Sequence, residues 1–130
     1  MSTGVIDAGI AIGWMQGGHR AAKRLDRLFA SCRDGQVALV ISLVNLAEVL
    51  LHTADLSRAT GVDALALLRA SGVRIHSPDE AIARRVARLR SSLADAFAAA
   101  TAQELRARLH TTDRELVRQL HGARLTVTHY

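Results

Sequence analysis

Four acidic side chains occupy positions where a carboxylate can take part in chemistry. Asp7 directly follows a short apolar segment with the character of a β-strand, and Asp113 lies where a short strand-like segment, 108–111, meets the helix after it. Glu48 and Asp95 lie near the starts of helical segments whose other residues are mostly small or apolar. Burying a carboxylate without a partner is costly, so these positions need either a local partner or a function.

Carboxylates that converge without histidine or cysteine are typical of a site for a hard cation such as Mg²⁺ or Mn²⁺. Two carboxylates about 5 Å apart repel each other by roughly 3 kcal/mol at an effective dielectric constant of 20, so a proton or a cation must lie among them. An ion held there polarises phosphate oxygens and activates a water molecule for attack.

Each acid also has an ordinary structural explanation. Asp95 stands three residues after Ser92, the spacing of a capping box. Asp113 is suited to cap the helix that follows it, and Asp7 is suited to a turn. Glu48 is able to pair with an arginine across a helix contact. These alternatives remain open for each residue taken singly.

The elements that would position these acids alternate between strands and helices. This order predicts an α/β domain with a mainly parallel sheet, in which ligands lie outside the carboxyl ends of the strands. We predict strands at 4–6, 37–41, 73–76, 108–111 and 124–127. We predict helices at 8–15, 19–31, 43–52, 62–70, from 93 to about 102, and 114–120, and one that is capped by Ser77.

Length and composition limit the class of protein. A chain of 130 residues predicts one domain, over residues 1–130. The single cysteine, Cys32, excludes an intramolecular disulfide and fits the reducing cytoplasm, where we expect the protein. No signal peptide or membrane-spanning run is visible. The net charge of +5 comes from 17 basic residues of which only Lys23 is a lysine, a balance that favours a polyanionic partner.

Four segments in order resemble the acidic motifs of PIN-domain ribonucleases, and at this length the VapC toxins of bacterial VapBC toxin–antitoxin pairs. The segments are Val5-Ile6-Asp7-Ala8, Ser42-Leu43-Val44-Asn45-Leu46-Ala47-Glu48-Val49, Ser92-Leu93-Ala94-Asp95-Ala96-Phe97-Ala98 and Thr111-Thr112-Asp113-Arg114-Glu115-Leu116. The resemblance covers residues 5–127.

The resemblance implies a three-layer α/β/α fold with a five-stranded parallel sheet in the order 3-2-1-4-5. It implies a Mg²⁺- or Mn²⁺-dependent endoribonuclease toxin, a cognate VapB-type antitoxin and a homodimer. The implied catalytic and metal-binding residues are Asp7, Glu48, Asp95 and Asp113, supported by Asn45 and by Thr111 or Thr112. A non-catalytic PIN-like module that binds RNA or protein is the alternative.

One position departs from the family pattern. Relatives often carry Ser or Thr two residues after the first acid, whereas this chain has Gly9. A hydroxyl that would orient Asp7 is therefore expected to be missing. The six histidines show no zinc-site spacing, and we expect His110 in solvent or in the core. The arginines expected to hold RNA are Arg84, Arg85, Arg88, Arg90, Arg114 and Arg118.

Overall fold

Five parallel strands form one sheet in the computed structural model, which describes residues 1–130. The strands are β1 (Ser2–Ile6), β2 (Val37–Ser42), β3 (Arg74–His76), β4 (Arg108–Thr111) and β5 (Val127–His129). Their order across the sheet is β3-β2-β1-β4-β5, which confirms the predicted strand order and fold class. The order reverses between β1 and β4, whose carboxyl ends therefore lie side by side.

Eight helices connect and flank the strands. They are α1 (Ala8–Gln16), α2 (Ala22–Arg33), α3 (Leu43–His52), α4 (Ala54–Thr60), α5 (Ala64–Ala70), α6 (Glu80–Arg88), α7 (Leu93–Glu104) and α8 (Arg114–Gln119). No helix combines the length and the apolar composition needed to cross a lipid bilayer.

Both faces of the sheet are covered, because successive residues of a strand point to opposite sides. Ile6 and Ile41 pack into a core formed with α1, α2, α3 and α5. Val5 and Val40, their neighbours in sequence, pack into a second core with α7 and α8. This double coverage explains why β2 is an uninterrupted apolar run.

Helix α7 is buried along most of its length because its side chains are small. Its buried residues are Ala96, Ala98, Ala99, Ala100, Thr101 and Ala102. The helix contacts β1, β2 and β4 as well as α3 and α6. This central position places its first turn, which carries Asp95, near the carboxyl ends of the strands.

Most predicted elements have ends shifted by one to three residues from those in the structure, and three differences have a clear physical reason. The last strand begins at Val127 rather than at residue 124, because Leu109 of β4 is the first residue that it pairs with. Helix α6 is capped by Asp79, whose carboxylate accepts the Ile82 N–H at 3.0 Å, and not by Ser77. Helix α4 was not predicted; it has no buried residue and so no apolar periodicity to reveal it.

Candidate active site

Asp7 is fixed at the carboxyl end of β1 by hydrogen bonds on both carboxylate oxygens. It is the N-cap of α1, and Oδ1 accepts the Ile10 N–H at 3.0 Å. Oδ2 accepts the hydroxyl proton of Thr111, at the end of the neighbouring strand β4. Only 4% of Asp7 is exposed to solvent. Its carboxylate therefore has one defined orientation.

The environment of Asp7 disfavours its negative charge. Burial raises the pKa of Asp7 from 3.8 to about 6, and the charges of Asp95 and Asp113 add to this rise. The hydrogen bonds from Thr111 and Ile10 act in the opposite direction. Three of the four acids named from the sequence thus interact electrostatically, and a cation near them would relieve the repulsion.

Asp113 is tied to Asp7 through the hydroxyl of Thr111. The Asp113 N–H donates to Thr111 Oγ1 at 2.9 Å, and that hydroxyl donates in turn to Asp7. Asp113 also caps α8, where its Oδ1 accepts the N–H groups of Glu115 at 2.9 Å and Leu116 at 3.2 Å. Asp113 therefore caps a helix, as the sequence predicted, and also lies beside Asp7.

Asn45 connects Glu48 to the start of α7. Its Nδ2 donates to Glu48 Oε1 at 3.1 Å and to the carbonyl oxygen of Ala94 at 3.0 Å. Asp95 is the next residue, and its N–H donates to the capping hydroxyl of Ser92 at 3.4 Å. Glu48 and Asp95, which lie far apart in sequence, are thus held at one helix contact. No arginine pairs with Glu48, so the ion pair that the sequence left open is not formed.

The Oδ1 atom of Asn45 is buried and has no hydrogen-bond partner. Leaving a buried acceptor without a partner costs about 1–3 kcal/mol, so such an atom calls for a ligand or water. With the carboxylates of Asp7, Asp95 and Asp113, it provides oxygen donors only, the set that Mg²⁺ and Mn²⁺ prefer. The donor chemistry fits a hard divalent cation.

The acids do not, however, form a preassembled metal cluster. No three acidic, histidine or cysteine side chains surround a common point at metal-binding range. The structure brings Asp7, Asp95 and Asp113 into one electrostatic neighbourhood and Glu48 beside it, without gathering them around a single position.

The space beside Gly9 is filled by the hydroxyl of Thr112. A Cβ atom built on Gly9 would lie 2.3 Å from Thr112 Oγ1 and 3.4 Å from Asp7 Oδ1. Relatives often carry a Ser or Thr hydroxyl at the position of Gly9. In this chain the hydroxyl of Thr112, from the fourth acidic motif, occupies the space that a side chain at position 9 would take. Asp7 itself is oriented by Thr111, as described above.

Buried His110 contacts the half-buried Tyr130, which lies against the exposed Arg24, a network that the sequence did not reveal. Its Nδ1 lies 2.8 Å from the hydroxyl oxygen of Tyr130, and the Arg24 guanidinium lies 4.4 Å from the centre of the Tyr130 ring. Gly4 makes room for the imidazole, since a Cβ there would be 2.6 Å from Nε2. Burial lowers the pKa of His110 from 6.5 to about 4, with the charge of Arg108 contributing, so the ring is neutral at physiological pH. His110 thus belongs to the core, one of the two expected environments.

Two of the arginines expected to hold RNA are engaged in ion pairs. Arg85 donates to Glu104 at 2.7 Å, and Arg118 lies 3.1 Å from Glu115. Arg84, Arg88, Arg90 and Arg114 are exposed. These four remain available to an anionic partner.

The arrangement matches a known family. The PIN-domain family profile matches residues 4–120. This chain belongs to the PIN-domain family. Acids at the carboxyl ends of β1 and β4 and at the start of α7 are thus part of a PIN domain. No curated protein matches the chain significantly.

Solved structures that resemble this PIN domain over most of its length include a toxin–antitoxin complex, a VapBC complex with DNA and a toxin. A toxin–antitoxin complex from Klebsiella pneumoniae contains a chain 27% identical, with 98% of each chain covered and a TM-score of 0.70. VapBC2 from Rickettsia felis, bound to a DNA fragment from its promoter, is 14% identical, with 98% of each chain covered and a TM-score of 0.72. VapC20 from Mycobacterium tuberculosis, a toxin that cleaves the sarcin–ricin loop, is 16% identical, covers 88% of this chain and 93% of its own, and has a TM-score of 0.66.

Proposed function

We propose that this PIN domain is a VapC-type toxin, an endoribonuclease that hydrolyses RNA phosphodiester bonds with Mg²⁺ or Mn²⁺. The observation that carries the proposal is Asp7: a buried carboxylate with a raised pKa, held in one orientation and repelled by Asp95 and Asp113. An acid kept in such an environment is typical of a functional site. The 27% identity to the Klebsiella chain supports the toxin assignment.

Asp7, Asp95 and Asp113 would hold the ion, with Glu48 either binding it or orienting the attacking water. When bound, the ion supplies Lewis-acid polarisation of the phosphate and acidification of water. Thr111 fixes the positions of Asp7 and Asp113 relative to each other, because its hydroxyl donates to Asp7 and accepts the Asp113 N–H. Asn45 sets the position of Glu48 against the start of α7.

In the proposed reaction, water attacks phosphorus in line and the bond to the 3′ oxygen breaks. The water oxygen remains on the 5′-phosphate, and its proton ends on the leaving 3′-hydroxyl. Glu48 is suited to accept this proton first when it orients the water, because Asp7 would hold the ion and both of its carboxylate oxygens already accept hydrogen bonds. Arg114, exposed beside Asp113, is placed to contact a neighbouring phosphate.

The test is cleavage of a structured RNA in the presence of Mn²⁺. Asp7→Asn and Asp95→Asn should each reduce the cleavage rate by at least about a hundredfold, because each removes a charge from the ion site. Asp26→Asn, which changes an exposed acid on α2, should cleave like the wild type. Full activity in both site variants would refute the assignment.

Metal binding has a readout that does not depend on activity. An ion that binds only the folded protein stabilises it by about 2.7 kcal/mol at a hundredfold excess over its dissociation constant. Mn²⁺ should therefore raise the melting temperature of the wild type and leave that of Asp7→Asn nearly unchanged. Equal shifts in the two proteins would place the ion elsewhere.

One observation favours a second candidate, a non-catalytic PIN-like module that binds RNA or protein. The acids are not assembled around one point, as a permanently loaded centre would require. Such a module would bind RNA equally well with Mn²⁺ or with EDTA and would leave the RNA intact. The nuclease assay with and without EDTA separates the two candidates.

The proposed protein partner is a VapB-type antitoxin, as in the toxin–antitoxin complexes that the chain resembles. We also propose a homodimer. Exposed apolar side chains support protein partners, among them Leu43, Leu51, Val62 and Leu93. Expression of the chain alone should arrest growth, and co-expression of a small DNA-binding protein encoded beside its gene should relieve the arrest. Relief that needs no complex between the two proteins would contradict the antitoxin assignment.

A further inference from the structure

The largest cavity of the molecule lies at the amino ends of the strands, away from the acids. It has a volume of about 640 Å³ and is lined by the first residues of β1, the end of α7, the start of β4 and the segment before β5. Asp7 lies five residues beyond Ser2, about 16 Å along the strand direction at 3.3 Å per residue. The cavity is therefore separate from the proposed active site.

The charge of this cavity is positive. Three arginines from three places in the chain line it, Arg106, Arg108 and Arg124, and none of its twelve lining residues is acidic. None of the three arginines takes part in an ion pair. The neighbouring acid Glu104 is paired with Arg85 at 2.7 Å, so its charge is already compensated.

Arg106 is held in a conformation that side chains rarely adopt. It has a φ of +51°, and it is the only non-glycine residue with a positive φ. The Ala107 N–H bonds to the Ala102 carbonyl and the Arg106 N–H to the Gln103 carbonyl, the pattern of a Schellman motif. Glycine is the usual residue at this place in the motif, so the arginine is accommodated there at a cost in backbone conformational energy.

The other lining residues suit an anion with several oxygens. Arg108 is oriented by donating to Thr128 Oγ1 at 3.0 Å. Arg124 is exposed and also lines the cavity, and the hydroxyl residues Ser2, Thr3 and Thr126 add hydrogen-bond donors. Guanidinium groups form strong, charge-assisted hydrogen bonds to phosphate oxygens, and hydroxyls add further donors.

We propose that this cavity, lined by Arg106, Arg108 and Arg124, binds phosphate groups, either of an RNA strand or of a small polyphosphate. The site is remote from Asp7, so it binds its ligand without taking part in cleavage. An RNA held there would be anchored by its backbone, independently of base sequence.

The test measures RNA binding by the full chain carrying Asp7→Asn, in EDTA, so that no RNA is cleaved. The result therefore does not depend on whether the wild type is a nuclease. Arg106→Gly and Arg124→Gln are combined, because glycine suits the φ of Arg106 and the Arg108–Thr128 hydrogen bond is left intact. Binding of a single-stranded RNA should weaken about tenfold, and the slope of log affinity against log salt should become shallower by about 1.4, at about 0.7 per phosphate contact.

The matched control combines Arg33→Gln and Arg69→Gln, two exposed arginines at the ends of α2 and α5 that make no ion pair. It loses the same charge and should keep the parent's affinity and salt slope to within about twofold. In parallel, inorganic pyrophosphate is titrated into both proteins and the melting temperature is measured. If pyrophosphate stabilises the control and not the cavity variant, the ligand is a small polyphosphate. If neither RNA nor pyrophosphate distinguishes the two variants, the proposal is overturned.

Discussion

Asp7 combines a structural role and a proposed chemical role in one side chain. As the N-cap of α1 it accepts the Ile10 N–H, and as a buried acid it accepts the Thr111 hydroxyl. A capping asparagine would satisfy the helix equally well. The negative charge is therefore not needed to cap the helix, and we propose that it serves to bind the cation.

Replacing Asp7 with Asn should stabilise the metal-free protein. Because the folded state raises the pKa of Asp7 to about 6, keeping the carboxylate ionised at pH 7.5 costs free energy that the neutral amide avoids. We expect the free energy of unfolding in EDTA to rise by about 1–3 kcal/mol, measured by urea denaturation. Asp26→Asn, at an exposed acid on α2, should leave it unchanged, and a loss of stability in Asp7→Asn would mean that the charge is structurally required.

Gly9 and Thr112 share one space, so substitutions at the two positions should be coupled. In Gly9→Ala the new Cβ would meet Thr112 Oγ1 at 2.3 Å, and we expect a loss of about 1–3 kcal/mol in the free energy of unfolding. In a Thr112→Ala background the same change should cost less than about 0.5 kcal/mol, as a double-mutant cycle would measure.

Gly13→Ala is the matched control within the same helix. A Cβ at Gly13 would lie 3.4 Å from Leu25, an ordinary contact, so this substitution should be neutral or stabilising. Additive effects of the changes at Gly9 and Thr112 would mean that the hydroxyl moves away at no cost.

At the scale of elements, the packing of α7 explains why an alanine-rich helix carries a carboxylate, Asp95, in its first turn. Its small side chains let it lie between the sheet and its neighbouring helices α3 and α6. This close approach puts the Asp95 turn next to the end of β1 and allows Asn45 to reach the Ala94 carbonyl. The position of Asp95 thus depends on the small side chains of α7, which let the helix pack close to the sheet and to its neighbouring helices.

Enlarging a buried residue of α7 should disturb both stability and the site. Ala99 is fully buried in the core between α7 and the sheet, so Ala99→Leu would push the helix outward. We expect a loss of about 1–3 kcal/mol in the free energy of unfolding and a smaller Mn²⁺-induced thermal shift. Ala87→Leu, at an exposed position of α6, is the control and should change neither. A tolerant Ala99→Leu would show that the helix is not tightly packed.

The elements that carry the acids were predictable because their signals are local or follow from the topology. The apolar run of β2 and the Ser42 cap of α3 are visible in the sequence, and the adjacency of Asp7 and Asp113 follows from the strand order that the family resemblance implies. The link from Asn45 to Ala94 spans 49 residues and depends on helix packing, so no local pattern predicts it. The His110–Tyr130 contact was missed because the register of β5 determines it.

At the scale of the whole molecule, two buried titratable groups lie on adjoining strands with opposite effects on stability. The Asp7 N–H donates to the His110 carbonyl at 3.2 Å, so the two residues are directly linked through the backbone. The folded state raises the pKa of Asp7 to about 6 and lowers that of His110 to about 4. The fold therefore favours the neutral form of each group: His110 is neutral at pH 7.5, whereas Asp7, with a pKa of about 6, is ionised there at a cost in free energy.

The signs of the two effects follow from proton linkage. Between pH 4 and 6.5 the unfolded chain binds a proton at His110 and the folded chain does not, so stability rises with pH in this window. Between pH 3.8 and 6 the folded chain binds a proton at Asp7 and the unfolded chain does not, so stability falls as the pH rises. In the wild type the two slopes largely cancel from pH 4 to 6.

Asp7→Asn should remove this cancellation. From pH 6.5 down to 4.5 the variant should lose about 2–3 kcal/mol in its free energy of unfolding, while the wild type changes much less, as urea denaturation at half-unit steps would show. Adding His110→Gln to Asp7→Asn should flatten the profile again, whereas His121→Gln, at an exposed histidine, should not. If the Asp7→Asn profile is as flat as that of the wild type, His110 is not kept neutral by the fold, and the compensation between the two strands does not exist.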